Sequence, residues 1–467
     1  MSLSRSSRAI PNPIRMLVLT ACAASLSAAP AMSDEAQSPR PASRPDTTQM
    51  SFDAGYGPHP VLPAPDKKLI PTVNVAKANP WSGDAKPVAA NDFQVTEFAR
   101  DLDHPRWLYT LPNGDILVAE SNAPPKKKGQ GIRGWFMKVF MGKAGAVTDS
   151  ANRITLYRPT SGAPERHQFL HNLNSPFGMA LAGDRLYVAN TDAIVSFPYK
   201  DGDVEITAAA EKLVDLPAGE RTHHWTKGLL ANKDGSKLYA TVGSNSNVAE
   251  NGMNEEDGRA LILEVDIKAR TSRPFATGLR NPNGLAWQPQ SGALWTTVNE
   301  RDELGNDLVP DYLTSVQDGG FYGWPYSYFG ANVDDRVTPQ KPELVAKAIV
   351  PDYGLGSHTA ALGLAFATGD ALPEKFRNGA FVAQHGSWNR KPSAGYKVIF
   401  VPFTDGKPSG PPQDVLAGFL SAQGEAQGRP VGLTFDKSGA LLVADDVGNR
   451  IWRLTAKAAT GAPHASN

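Results

Sequence analysis

The sequence predicts an all-β chain folded as a six-bladed β-propeller, with inserted loops and a Pro-rich N-terminal extension. Two observations carry this prediction. One hairpin theme recurs six times: a Pro or Gly, a short apolar run, a turn, then an apolar strand. The 467 residues also include 43 Gly and 38 Pro, punctuation too dense for a helical bundle and suited to short strands joined by turns.

The copies are HPRWLYTLPNGDILVAES at 104–121, SPFGMALAGDRLYVANTD at 175–192 and TKGLLANKDGSKLYATVGS at 226–244. NPNGLAWQPQSGALWTTVNE at 281–300, the ALGLAFATGD and GAFVAQHG runs within 361–386, and RPVGLTFDKSGALLVADD at 429–446 complete the set. Apolar runs such as Ile116-Leu117-Val118-Ala119 suit buried strands, and Asn113-Gly114, Asp234-Gly235 and Ser438-Gly439 mark hairpin turns. Each copy reads as the two inner strands of a four-stranded blade, and closing six blades into a ring protects the sheet edges. Successive copies start 50–80 residues apart. A compact propeller repeat needs only about 40–50, so loops are inserted. NRIWRLTA at 449–456 is expected to help close the ring. A β-sandwich is the alternative class, but it does not account for six copies of one signature.

Charge narrows the function. Lys+Arg and Asp+Glu number 47 each, and charged residues make up only 20%. Nucleic-acid binders need a basic surplus to meet phosphates, so no nucleic-acid partner is expected. The single cysteine, Cys22, excludes a disulfide scaffold, a thiolate zinc site and a C-x-x-C-H haem.

Residues 1–32 read as a signal peptide. Arg5, Arg8 and Arg15 precede the apolar, small-residue stretch MLVLTACAASLSAAPA, with cleavage expected between Ala29 and Ser33. This predicts a periplasmic protein with no transmembrane segment after cleavage, because no other run approaches 18 apolar residues. A second reading takes Leu19-Thr20-Ala21-Cys22 as a lipoprotein box, which would anchor the chain through Cys22. Without its leader the chain has 44 basic and 47 acidic residues. Residues 33–92 read as a Pro-rich extended segment whose part at 62–81 lies against the main domain. Residues 93–456 form the propeller and 457–467 a tail.

Inner propeller strands surround a channel, and polar residues at one phase of the repeat converge at one mouth. His224, Arg280 with Asn281, and Arg429 each stand just ahead of the first apolar run of their copy. Taken singly, each could instead cap a strand entry.

With these motifs in view, the chain resembles the pyrroloquinoline quinone (PQQ)-dependent sugar dehydrogenases, over roughly residues 93–456. The likeness is strongest at HWTKGLLANKDGSKLYATVG (224–243), GLRNPNGLAW (278–287), QDGGFYGWPYSYFG (317–330), HGSWNR (385–390) and 429–446. The last four look most like the sorbosone-dehydrogenase branch. The resemblance implies hydride transfer from an aldose or sugar aldehyde to the quinone, giving a lactone or acid. It implies that His224 takes the hydroxyl proton, as an imidazole with a pKa near 6.5 can. Arg280 and Asn281 would flank the quinone carbonyl, and Arg429 would pair with one PQQ carboxylate through its guanidinium fork. A second family arginine falls at Gln427, and a family lysine expected near Gly386–Ser387 is missing, which leaves Arg390 or Lys391 as substitutes. Ser244 stands where glucose-type members carry an Asp beside the base.

The resemblance also implies Ca²⁺, held mostly by backbone carbonyls of the loop at 299–307; Arg301 and Asp302 are the candidates. Glu300, where a Gln is usual, is expected at the cofactor. A solvated acidic loop is the alternative. Electrons must leave to an external acceptor, a cytochrome c or a quinone. The insertion PPKKKGQGIRGWFMKVFMGKAG at 124–145 is basic, with Trp135, Phe136, Val139 and Phe140 on one helical face. It reads either as a helix capping the rim or as a docking patch for the acceptor or a membrane surface. Two other function classes stay open: a calcium-dependent propeller lactonase, and a non-enzymatic periplasmic binding propeller.

Overall fold

The computed structural model describes residues 55–66, 72–125, 149–219 and 224–457. The signal peptide, Cys22, His223 and nearly all of the basic insertion lie outside the described residues, as does the tail beyond Lys457.

Among the described residues the chain builds six antiparallel blades. Each recurring hairpin supplies the two inner strands. They are Pro105–Thr110 and Ile116–Glu120 in blade 1, and Met179–Ala182 and Arg185–Ala189 in blade 2. Blade 3 has Leu229–Ala231 and Lys237–Val242, and blade 4 Asn281–Trp287 and Leu294–Asn299. Blade 5 has Ala361–Phe366 and Gly379–Gln384, and blade 6 Pro430–Phe435 and Leu441–Asp445. Short side chains tie the turns between them: Asn113 Oδ1 accepts the Asp115 N–H at 2.9 Å, and Asp436 Oδ1 accepts those of Ser438 and Ala440.

The ring closes as expected at 449–456. Arg450–Ala456 pairs inward with blade 6 and outward with Phe93–Ala99, from the other end of the domain. The segment read as a simple extension contributes more than its composition suggests. Tyr56–Gly57 adds an edge strand to blade 4 and Val88–Ala89 one to blade 5. Trp81 is buried edge-on against Trp452 and Phe419.

The core lies between neighbouring blades. Leu238, Val242 and Val265 pack on Tyr187 and Ile194 across blades 2 and 3. Trp295, Leu313, Phe366, Val382 and Phe403 pack across blades 4 and 5. Each such fully buried side chain contributes about 1.5–3 kcal/mol. This packing fixes the height of each blade in the ring, and so the height of the residues at its inner edge.

The entries to the inner strands all open at one mouth. In blades 1, 4, 5 and 6 the register shifts within the first residues of the inner strand, at Pro105/Trp107, Pro282/Leu285, Ala361/Leu364 and Pro430/Leu433. Such bulges re-aim side chains where pairing ends.

Candidate functional site

His224 stands at the entry to blade 3. Its Nδ1 lies 2.8 Å from the Ser244 carbonyl oxygen and 3.2 Å from the Ser244 hydroxyl, which itself donates to Ser246 O at 2.7 Å. A carbonyl only accepts, so Nδ1 carries the proton and Nε2 the lone pair. Ser244 therefore orients the ring through its backbone, which answers how a chain without an Asp at this place sets its histidine. Gly243 allows the approach: a Cβ there would lie 2.5 Å from His224 Cβ and 2.4 Å from Asn281 Oδ1. The same observation brings His224 and Asn281 to one spot.

Asn281 donates to Asn299 Oδ1 at 3.3 Å, while its own Oδ1 is buried without a donor. Arg280 is buried, and its five N–H groups are all engaged. Nε bonds Asn247 O, Nη1 bonds Glu300 O at 2.6 Å and Asn299 O, and Nη2 bonds Asn247 Oδ1 and Asp302 Oδ2. Arg280 thus braces the 299–302 loop and presents a fixed positive charge there rather than an open fork.

The same loop revises one of the two metal candidates, the Asp302 carbonyl. The Asp302 carbonyl accepts from Arg336 Nη1 at 3.0 Å and Asn247 Nδ2 at 3.2 Å, so a guanidinium occupies the place expected for a cation. The Arg301 side chain is wholly buried and points behind the loop, to Glu300, Asp334, Pro325 O and Ser327 O. Glu300 accepts Arg301 N and Nε on Oε2 and leaves Oε1 buried without a donor. Among the described residues no group of three or more His, Cys, Asp or Glu is placed to hold a metal. Buried amide and carboxylate oxygens without donors, the type a hard cation takes, include Asn281 Oδ1, Asn389 Oδ1 and Glu300 Oε1. The Asp302 carboxylate bonds Asn389 at 2.7 Å and faces His358 and Arg280. Burial alone would raise its pKa, but His358, Arg280 and Asn389 together pull it down to about 2.

Arg429 enters blade 6 almost fully buried. Its Nη1 reaches Gly386 O at 3.4 Å, and its guanidinium lies 4.8 Å from the Tyr396 ring centre. Nε and Nη2 have no hydrogen-bond partner among the described residues. A buried guanidinium with two idle donors and no carboxylate is costly unless an anion completes it. Arg390 does not join it. Its guanidinium is spent on Asn306 O, Pro392 O and Asp307, the last at 2.7 Å, on a loop at the side of the mouth. That corrects its assignment as a replacement for the missing lysine.

Several rim residues escaped the sequence reading. Asp446 accepts His385 Nε2 at 2.8 Å, lies 3.5 Å from His104 Nε2 and pairs with Arg106. Burial would raise the Asp446 pKa, yet His385, His104 and Arg106 hold it far below the ordinary carboxylate range. Burial lowers His385 and takes His104 down to about 4, so both stay neutral at pH 7. The Arg106 guanidinium lies 5.6 Å from the Trp225 ring centre, linking blade 1 to the residue after His224. Lys227 is buried with Nζ 3.4 Å from His224 O and 3.3 Å from Trp225 O, and burial lowers its pKa to about 7. The available signal was positional: His104, Arg106, His385 and Asp446 occupy the strand entries and exits of copies one, five and six.

The rim thus runs from Trp225 over Arg106 to Asp446 and His385, and through Asn389 to Asp302 and Arg280. A cavity of about 900 Å³ between the outer strands of blades 6 and 1, lined by Phe98, Tyr157, Arg166 and Lys437, holds none of these residues. The convergent buried groups, not that cavity, mark the candidate site.

Comparison with known proteins agrees with this architecture. A PQQ-dependent sugar dehydrogenase of Hypocrea jecorina is 24% identical over 425 residues, covering 80% of this chain and 90% of that protein. A PQQ-dependent pyranose dehydrogenase of Coprinopsis cinerea is 24% identical over 356 residues; the match covers 67% of this chain but only 44% of that longer protein. The holo form of the pyranose dehydrogenase PQQ domain from Coprinopsis cinerea superposes with a TM-score of 0.64 at 20% identity, covering 82% of this chain and all of that domain. That superposition establishes the shared fold. A sequence profile of the TrAA12-like family matches residues 87–311 and 337–457, and the chain belongs to that family.

Proposed function

We propose that the protein is a PQQ-dependent oxidoreductase that oxidises an aldose or a sugar aldehyde of the sorbosone kind to a lactone or acid. The observation that carries this reading is Arg429, buried with two unpartnered donors at the same mouth as a histidine held in a defined tautomer. PQQ is a tricarboxylate, and an idle buried guanidinium fits one of its carboxylates. The relatives whose names specify PQQ support the same cofactor. A calcium structure of a Trichoderma reesei AA12 enzyme, superposing with a TM-score of 0.64 at 18% identity, covers 79% of this chain and 97% of that one and supports calcium beside it.

When bound, PQQ would supply the electrophilic carbonyl needed to take up hydride from the anomeric carbon. The chain's own residues do the rest. His224 Nε2 accepts the sugar hydroxyl proton, while the resulting charge is shared through Nδ1–H with the Ser244 carbonyl. Arg280 places a fixed positive charge beside the 299–302 loop without giving up its bonds. Arg429 holds a carboxylate. Asn281, Asn389 and Glu300 offer buried oxygens of the kind that would meet calcium.

Electrons would leave to an external acceptor, a cytochrome c or a quinone, and the signal-peptide reading of 1–32 supports a periplasmic reaction. The lipid-anchored form through Cys22 would keep the same site. Loading the purified protein with PQQ and Ca²⁺ is expected to give sugar-dependent reduction of an artificial dye. A loaded preparation that reduces no dye with any aldose or aldose-derived aldehyde overturns the proposal.

A further inference from the structure

Residues 55–66 and 72–90 form a strap that precedes almost all of the family match and crosses the rim loops of blades 4, 5 and 6. Asp66 N–H bonds Leu304 O at 2.9 Å, and Asn74 bonds Trp388 O through its backbone and Arg390 O through its side chain, both at 2.8 Å. Asn79 N–H bonds Ala426 O at 2.8 Å. The strap then buries Trp81, whose Nε1 donates to Asp445 Oδ2 at 2.7 Å.

Asp445 joins the strap to blade 6. Trp452 Nε1 donates to the same oxygen at 3.0 Å. The other oxygen accepts the backbone N–H of Arg429 and that of Gly448, each at 2.8 Å. Gly448 leaves the space: a Cβ there would lie 2.7 Å from Trp81 Cδ1 and closer still to the Asp445 carboxylate. Among the described residues Arg429 has no ion pair, and its guanidinium has one long bond, to Gly386 O. Its position therefore follows its backbone, and its backbone N–H is held by Asp445. The adjacent residue, Asp446, carries His385 and Arg106, so the same anchor bears on both sides of the cluster.

We propose that Trp81 is a positioning residue for Arg429, acting through Asp445, and that the strap thereby sets the affinity of the site for its anionic cofactor. The proposal rests on the PQQ reading above. Trp81→Phe keeps an aromatic ring against Phe419 and Trp452 but removes the N–H donor and part of the ring volume, and Trp452→Phe removes the other donor from the same oxygen.

The test is a titration of the full-length apoprotein with PQQ in Ca²⁺, followed by quenching of tryptophan fluorescence, for wild type, W81F, W452F, R429Q and W81F/R429Q. W81F is expected to weaken PQQ binding about 3–10-fold, with turnover at saturating PQQ unchanged and no further loss in the R429Q background. A W81F protein that melts lower but binds PQQ like wild type, or a W81F effect of equal size with and without Arg429, overturns the proposal while leaving the PQQ reading intact. If W81F does not fold, W452F decides by the same two criteria. A wild-type protein that does not bind PQQ overturns the cofactor reading and this proposal with it.

Discussion

The Ser244 carbonyl oxygen lies 2.8 Å from His224 Nδ1, so a backbone group, not a carboxylate, sets the tautomer of the histidine at the channel mouth. A carbonyl acceptor on Nδ1 keeps the lone pair on Nε2. Replacing His224 with Ala is expected to lower turnover at least about a hundredfold. Ser244→Ala keeps the carbonyl and should cost less than about tenfold. Steady-state kinetics of both PQQ-loaded variants check the pair; comparable losses would mean that the hydroxyl does the orienting.

Gly243 is expected to tolerate no side chain. A methyl group there must displace either the His224 stem or the Asn281 amide, because both lie within 2.5 Å of where it would sit. Gly243→Ala should therefore lower kcat about tenfold or more with a small change in melting temperature, since a modest misplacement of a base is enough for such a loss. Thermal melts run beside the kinetics separate this outcome from general unfolding.

Arg429→Gln should weaken PQQ binding about 10–100-fold, the range for one charge-assisted bond to a carboxylate. Arg429→Lys should recover little of it, because a lysine carries the charge without the fork. Equilibrium titrations of the two variants check this; full rescue by lysine would mean that charge alone is recognised.

Lys227 gives a prediction in pH. Its pKa falls from the ordinary 10.5 to about 7, chiefly because burial disfavours the ammonium. Between about pH 7 and 10 the unfolded chain keeps this proton while the native chain sheds it. The unfolded state then binds more protons, so stability contributed through Lys227 rises with pH across that window. Lys227→Met removes the term. The difference in melting temperature, wild type minus variant, should become more favourable to wild type from pH 7 to 9; a flat difference would contradict it.

Much of the fold was legible because a propeller repeats its signal. The hairpins at 104–121 and 429–446 carry alternation and turn residues that local chemistry alone explains, and both form inner strands. The partner of Arg450–Ala456 was not legible: Phe93–Ala99 lies far away in sequence, and only ring closure brings the two together. The same limit governs the site. His224, Arg280, Asn281 and Arg429 show as polar breaks at one phase of an apolar repeat. What each touches depends on inserted loops, which is why Arg280 meets Glu300 O and Asp302 rather than open space, and why the Asp302 carbonyl meets Arg336. Trp81 looked like one aromatic in a Pro-rich stretch, because its partner Asp445 is set by the last blade.

The central claim is that this mouth binds PQQ and passes hydride to it with His224 as base. The most direct measurement is the absorbance of the PQQ-loaded, Ca²⁺-supplemented protein on mixing with an aldose when no dye is present. The account predicts saturable PQQ binding, loss of the oxidised quinone absorbance on adding the sugar, and loss at least about a hundredfold slower in His224→Ala. Failure of the wild-type protein to bind PQQ, or a bound quinone that no aldose or sugar aldehyde reduces, would contradict it.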